Sequence, residues 1–191
     1  MQTNTLKAQD QNQWLQSYYY IRAAGSVIWI VLAVLMGKHN PTIGAVLLVL
    51  YPAWDALANY FDASKSGGLA VNPPQRFNLI VSLIVTAVII WALTVSMNAT
   101  IKVFGLWAIF SGVLQLSASI RRWKHSSGQW AMILSGAQSA LAGLFMIKQA
   151  SGDMALDVTT VAPYAAFGVF YFLISAITLT VKNGRKNRVI C

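Results

Sequence analysis

The 191 residues are 57% hydrophobic and 10% charged, with fourteen Lys and Arg against five Asp and a formal charge of +9. A soluble domain carries about 25% charged residues, so this composition excludes one and points to a chain dissolved in a bilayer. The basic residues fall between apolar runs and not along one face, which argues against nucleic acid as a partner. The single cysteine, Cys191, leaves no intramolecular disulfide and no cysteine-based metal site.

A helix needs about 20 apolar residues to cross a hydrocarbon core about 30 Å thick. Residues 1–17 are polar and read as a cytoplasmic segment without the small-residue pattern of signal cleavage, so the first apolar run, Tyr18–Met36, is expected to stay as an anchor. The second run is Pro41–Phe61. Asn40 before Pro41 supplies a cap and a helix start, and Pro52 inside the run has no N–H for the carbonyl of Leu48. Asp55 and Asn59 follow on the same run. Gly67-Gly68 and Pro73-Pro74 bound the longest connection on the inner side, and the third run is Phe77–Val95. Asn98 is a candidate cap for the fourth run, Ala99–Ile120, which ends in Arg121, Arg122 and Lys124. In the fifth run, Gln129–Ile147, Ser135, Ser139 and Gly143 recur every four residues with Gly136 beside them. A stripe of such small side chains lets a neighbouring backbone approach closely, so this helix is expected to be central or to line a subunit contact. The sixth run, Thr159–Val181, has Asp157 or Thr159 as its cap and leads into a basic tail at 182–191. The whole chain, 1–191, therefore reads as one all-α integral membrane domain of six transmembrane helices.

If residues 1–17 are cytoplasmic, eleven of the fourteen basic residues fall on that side, and only Lys38, Lys102 and Lys148 fall on the other. The excess of Lys and Arg inside predicts that both termini are cytoplasmic. Trp14, Tyr18, Tyr19, Tyr20, Tyr60, Trp123 and Trp130 gather at the same boundary and read as an interfacial belt. Internal similarity is also visible. Gly105–Leu116 (GLWAIFSGVLQL) aligns without a gap to Gly168–Leu179 (GVFYFLISAITL), and LVLYPAWDALAN is a weaker third copy; each follows a span with a small residue, Gly25, Ser82 or Gly136. Three tandem helical hairpins about an axis along the membrane normal are the expected arrangement. The segments RAAGSVIWIVLAVLM, GLWAIFSGVLQLSASIRRWK and GQWAMILSGAQSALAGLFMI resemble the repeat units of the HdeD family. These are small proteins of the bacterial inner membrane with six spans built from a two-helix repeat, some of them linked to acid resistance. The resemblance implies the fold, the bacterial inner membrane as location and a stress-response theme; it implies no catalytic or ligand site.

His39 and His125 fall on opposite sides of the membrane, and the five aspartates form no acid–base pair or nucleophilic triad, so no enzyme, metal or cofactor is expected. Gln115 and Gln138 are expected to bond to neighbouring helices. Arg121, Arg122, Lys124, Lys182, Arg185 and Lys186 are candidates for anionic lipid head groups, and topology signals account for them equally well. A homo-oligomer or a second membrane protein completes the expected partners. Asp55 raises the sharper question. With a turn near Gly37–Pro41, antiparallel residues at equal depth have numbers summing to about 78 at a rise of about 1.5 Å per residue, and Arg22 and Asp55 sum to 77. A guanidinium beside a membrane carboxylate stabilises its charge and supplies donors to its oxygens. Asn59, one turn on, adds a hydrogen bond, while the Arg22 stem snorkels toward the head groups. Such a latch is expected to survive exchange of its two charges. Two functions follow: a non-enzymatic stress-type membrane protein acting through packing, lipid or partner contacts, which the lack of a polar cavity would favour, or a small proton-coupled or passive transporter with Asp55 on its route.

Overall fold

The computed structural model describes residues 2–124 and 129–190, with side chains described over 12–124 and 129–184; His125, Cys191 and the side chains of Arg185 and Lys186 lie outside the described residues. Among the described residues there are six long helices and no strand: α1 (Gln2–Leu32), α2 (Pro41–Lys65), α3 (Pro73–Val95), α4 (Met97–Arg122), α5 (Gln129–Gln149) and α6 (Ala162–Ile190). Each is long and apolar enough to cross a membrane, the spans running Asn12–Gly37, Pro41–Lys65, Pro73–Val95, Met97–Arg122, Gln129–Gln149 and Val158–Gly184.

Local chemistry sets the ends. Asn40 Oδ1 accepts from the N–H groups of Thr42 and Ile43, and Pro41 starts α2 where a missing N–H costs nothing. The connection to α3 turns on Gly67 and Gly68, whose φ values of 96° and 93° favour glycine. Asn72 Nδ2 then ties the loop by donating to the carbonyls of Ser66 and Gly68. The cap of α4 is Ser96 and not Asn98: the helix begins at Met97, and extended Ser96 accepts from Ala99 N through Oγ at 3.0 Å, which leaves Asn98 inside the first turn. Asp157 caps the short 3-10 turn Val158–Val161 in a capping box with Thr160. α1 closes in a π-turn, Ala33–Gly37, which carries the first span to its connection with α2.

Successive helices run antiparallel and close into a ring, because α6 also packs on α1. The closest packing lies between hairpins, at α4–α5, α1–α6 and α2–α3, more than within the first and third hairpins. The repeat explains two of these contacts. Gly112, Asp55 and Ser175 occupy the same position of the three aligned segments. Gly112 meets Gly136 of α5 backbone to backbone, and Asp55 bonds Ser82 of α3. Ser175 lies level with Gly25 in the register set by the Tyr20–Thr180 and Gln16–Asn183 hydrogen bonds, but Gly25 faces Trp54 of α2, so the repeat accounts for the α4–α5 and α2–α3 seams and not for α1–α6. The interior holds two apolar layers. One, around Trp29, Leu48, Ile89, Phe104 and Trp107, fills the half that carries the α1–α2, α3–α4 and α5–α6 connections, here the turn face. The other, around Leu15, Tyr19, Met132 and Phe172, lies toward the opposite face, where the α2–α3 connection and both ends of the described bundle sit, here the ends face. Tyr19 is therefore core and not belt: helical steps of about 100° turn one of three consecutive tyrosines inward, and Gln129 donates to its hydroxyl.

Candidate functional site: a buried polar column

Asp55 and Asp62 lie seven residues apart on α2 with Asn59 between them, which puts all three on one helical face. That face points into the ring, where Asp55 and Asp62 are each 2% exposed. Arg22 Nη2 donates to Asp55 Oδ1 at 2.6 Å. Asp55 Oδ2 accepts from Asn59 Nδ2 at 3.1 Å, Asn78 Nδ2 at 3.1 Å and Ser82 Oγ at 3.0 Å. Trp107 Nε1 in turn donates to Ser82 Oγ at 2.9 Å. One carboxylate thus gathers donors from α1, α2 and α3 and, through Ser82, reaches α4. Arg22 does not reach for the head groups. Its guanidinium lies over the Phe172 ring, 4.9 Å from the centroid, because the carboxylate that holds it is itself deep.

Two turns toward the ends face, a second pair repeats the pattern. Arg122 Nη2 donates to Asp62 Oδ2 at 2.7 Å, Gln75 Nε2 donates to the same oxygen at 3.3 Å, and Trp14 Nε1 donates to Oδ1 at 3.4 Å. Arg122 is therefore turned inward, and its expected place at lipid head groups is corrected: a guanidinium within bonding distance of a buried carboxylate finds a better partner inside. Arg121, Lys124 and Lys182 are exposed. Sequence reasoning missed this pair, since Asp62 and Arg122 are sixty residues apart on helices that do not follow one another.

Between the two pairs lies a polar chamber of about 50 Å³ bounded by Arg22, Asp55, Asn59, Gln75, Asn78 and Arg122. This overturns the expected lack of a polar cavity: its charged and amide side chains come from four helices and the rest of its lining from the other two, so no single span announces it. The exchange of charges between positions 22 and 55 is corrected as well. A guanidinium at position 55 would face the amide of Asn59, which its bond to the position-55 main-chain carbonyl keeps from turning to accept, and it would need both the Asn78 amide and the Ser82 hydroxyl to turn.

The small-residue stripe of α5 faces α4. A Cβ built on Gly136 would lie 2.7 Å from the Gly112 carbonyl oxygen, and one on Gly143 would collide with the Gly105 carbonyl oxygen. Ser139 Oγ donates to the Ala108 carbonyl at 2.8 Å and lies 3.1 Å from the Tyr164 hydroxyl; Ser135 is buried beside it. Gln115 Nε2 donates to the Met132 carbonyl at 3.2 Å. Among the described residues no group of three His, Cys, Asp or Glu comes together.

A family model described as a short repeat of unknown function (DUF308) matches residues 80–148, from within α3 to the last turn of α5. HdeD-like proteins belong to that family. No curated protein and no solved structure matches the chain.

Proposed function

We propose that this is a non-enzymatic multi-pass protein of the bacterial inner membrane, with both chain ends cytoplasmic, in which two buried Arg–Asp pairs latch three of the six spans and draw in a fourth through Gln75, Asn78 and Ser82. It serves in the stress or acid-resistance physiology to which the resemblance points, with anionic lipids at Arg121, Lys124 and Lys182 and a second membrane protein or a second copy as partners. The observation that supports the latch is the set of four donors on the Asp55 carboxylate. A carboxylate whose oxygens are taken by Arg22, Asn59, Asn78 and Ser82 ties helices together and has little left for a passing solute. A second reading, passage through the bundle with Asp55 on the route, is favoured by the chamber beside it and disfavoured by those same four bonds.

Two measurements test the proposal. Single cysteines at Lys38 and Lys148 are expected to react with an impermeant thiol reagent from outside intact cells, while cysteines at Lys124 and Lys182 stay protected; labelling at Lys124 from outside inverts the orientation and removes it. For the physiology, survival of a deletion strain after strong acid challenge is expected to be restored by the wild type and not by Asp55→Asn. Equal survival of the deletion and the parent would remove the acid-resistance role.

A further inference from the structure

The polar chamber is the first of three cavities in series. Arg22, Gln115 and Phe172 line it and also line a second cavity of about 30 Å³. Gln138, Ala142, Tyr164 and Phe167 line that second cavity and also a third, a groove of about 510 Å³ between α5 and α6. The order is the same on every helix that contributes to all three: along α5 it runs from Met132 through Ser135 and Gln138 to Gln149, and along α6 from Phe172 through Tyr164 to Pro163. Seventeen residues separate Met132 from Gln149, about 25 Å at a rise of about 1.5 Å per residue, which is most of the hydrocarbon thickness. The groove ends among Gln149, Asp157, Thr159 and Thr160 at the turn face. Toward the ends face the chamber's lining includes the Asp62–Arg122 pair.

The chamber also holds two buried polar atoms that lack a partner. Arg22 Nη1 is a donor and Asn78 Oδ1 an acceptor, and Asn78 is 5% exposed. Arg22 donates through Nη2 to Asp55 Oδ1 and Asn78 through Nδ2 to Oδ2, so the two orphan atoms belong to side chains that flank one carboxylate and line one chamber, and Arg22 stands where the first and second cavities meet. A chamber lined by one free buried donor and one free buried acceptor suits a ligand that does both. The charges around it are two arginines against two aspartates, each paired, so the local field favours neither anion nor cation. At about 10–15 Å³ for each water, the first two cavities hold a short file of about five to eight.

We propose that the three cavities form one interrupted path for small uncharged solutes that both donate and accept hydrogen bonds, water and urea being of this class. Arg22 Nη1 and Asn78 Oδ1 are its binding point, and Ala142 is its neck. The path runs past Asp55 without using its oxygens. It goes beyond the latch and does not rest on it: loss of the latch is read as stability, loss of the path as flux.

The test is stopped-flow light scattering of proteoliposomes holding the full chain, under osmotic shock with sucrose and under a urea gradient. Several-fold faster volume change than in protein-free vesicles is expected for water and urea, with no added conductance to potassium or formate. Ala142→Leu narrows the neck and is expected to return both rates to the vesicle background. Because that variant can also disturb packing, Ala142→Cys in a Cys191→Ser background provides a second arm: it conducts as reconstituted, loses flux on modification by a bulky thiol reagent and regains it on reduction. Wild-type rates equal to protein-free vesicles overturn the proposal. So does flux indifferent to modification at 142, or conductance to formate matching that to urea.

Discussion

Replacing Asp55 by Asn keeps the outline of the side chain and removes one acceptor oxygen and the charge. Whichever way the new amide is turned, its NH2 meets donors: Arg22 Nη2 on one side, or Asn59 Nδ2, Asn78 Nδ2 and Ser82 Oγ on the other. Ser82 can rotate its hydroxyl and Asn78 can turn its amide to accept. Asn59 is held by its bond to the Asp55 main-chain carbonyl at 2.8 Å, and Arg22, whose side chain is 12% exposed, has no second ion-pair partner among the described residues. Removing one partner of a buried pair costs about 3–5 kcal/mol, and the remaining clash falls within that range because neighbouring effects do not add in full. The expected loss is therefore about 3–5 kcal/mol of unfolding free energy, read by titrating the protein in mixed micelles with dodecyl sulfate and following tryptophan fluorescence. Asp153→Asn, at an exposed position on the α5–α6 connection, is the control and is expected to stay within about 0.5 kcal/mol of wild type. An Asp55→Asn value within about 1 kcal/mol of wild type would refute the latch, since an unpaired guanidinium would then be tolerated where the pair now sits. The exchange Arg22→Asp with Asp55→Arg is expected to leave the protein at least as unstable as either single change.

Gly143→Ala places a methyl against the Gly105 carbonyl and is expected to cost about 1–3 kcal/mol by overpacking, whereas Leu144→Ala, on an exposed side chain, is expected to be within about 0.5 kcal/mol of wild type; equal losses for the two would place the stripe on the lipid side. Asn40→Ala removes the acceptor for Thr42 N and Ile43 N and is expected to cost about 1 kcal/mol, with Asn40→Ser recovering most of it. An alanine variant as stable as the serine variant would show that Pro41 alone starts α2. Arg122→Ala strands Asp62 and is expected to lower stability as Asp55→Asn does, while Arg121→Ala, with an exposed guanidinium, is expected to change little; indistinguishable melting of the two in detergent would place Arg122 at the surface.

The spans are legible because length and hydropathy alone determine them. The Arg22–Asp55 contact is legible because the α1–α2 connection is too short to alter the register. Asp62 is another case. Standing three residues from the end of α2, it reads as an interfacial acid, and its cation lies on a helix whose register relative to α2 no short turn fixes. The pattern Asp55, Asn59, Asp62 at i, i+4 and i+7 was the available signal, since three polar side chains on one face of an apolar helix need an interior to face. The stripe at Ser135, Ser139 and Gly143 revealed that a backbone comes close. Its counterpart, Gly105 and Gly112, stood seven residues apart in the aligned repeat and went unread as a partner because a repeat shows similarity and not contact.

The spacing of the two ion pairs along the chain imposes an order on biogenesis. Arg22 and Asp55 are 33 residues apart, and Asp62 and Arg122 are 60 apart. At a synthesis rate of about 5–20 residues per second, the first counter-ion follows its arginine out of the ribosome after about 2–7 s, and the second arginine follows its aspartate after about 3–12 s. During the first interval α1 carries an unneutralised cation, which favours its remaining at the membrane interface until α2 arrives and the two cross as a hairpin. During the second, Asp62 waits while the whole of α3 is inserted beside it, with Gln75 as the nearest polar side chain to shield it. A ribosome pause between residues 62 and 122 would therefore leave an open half-bundle with an exposed carboxylate, the species that membrane quality control is built to find.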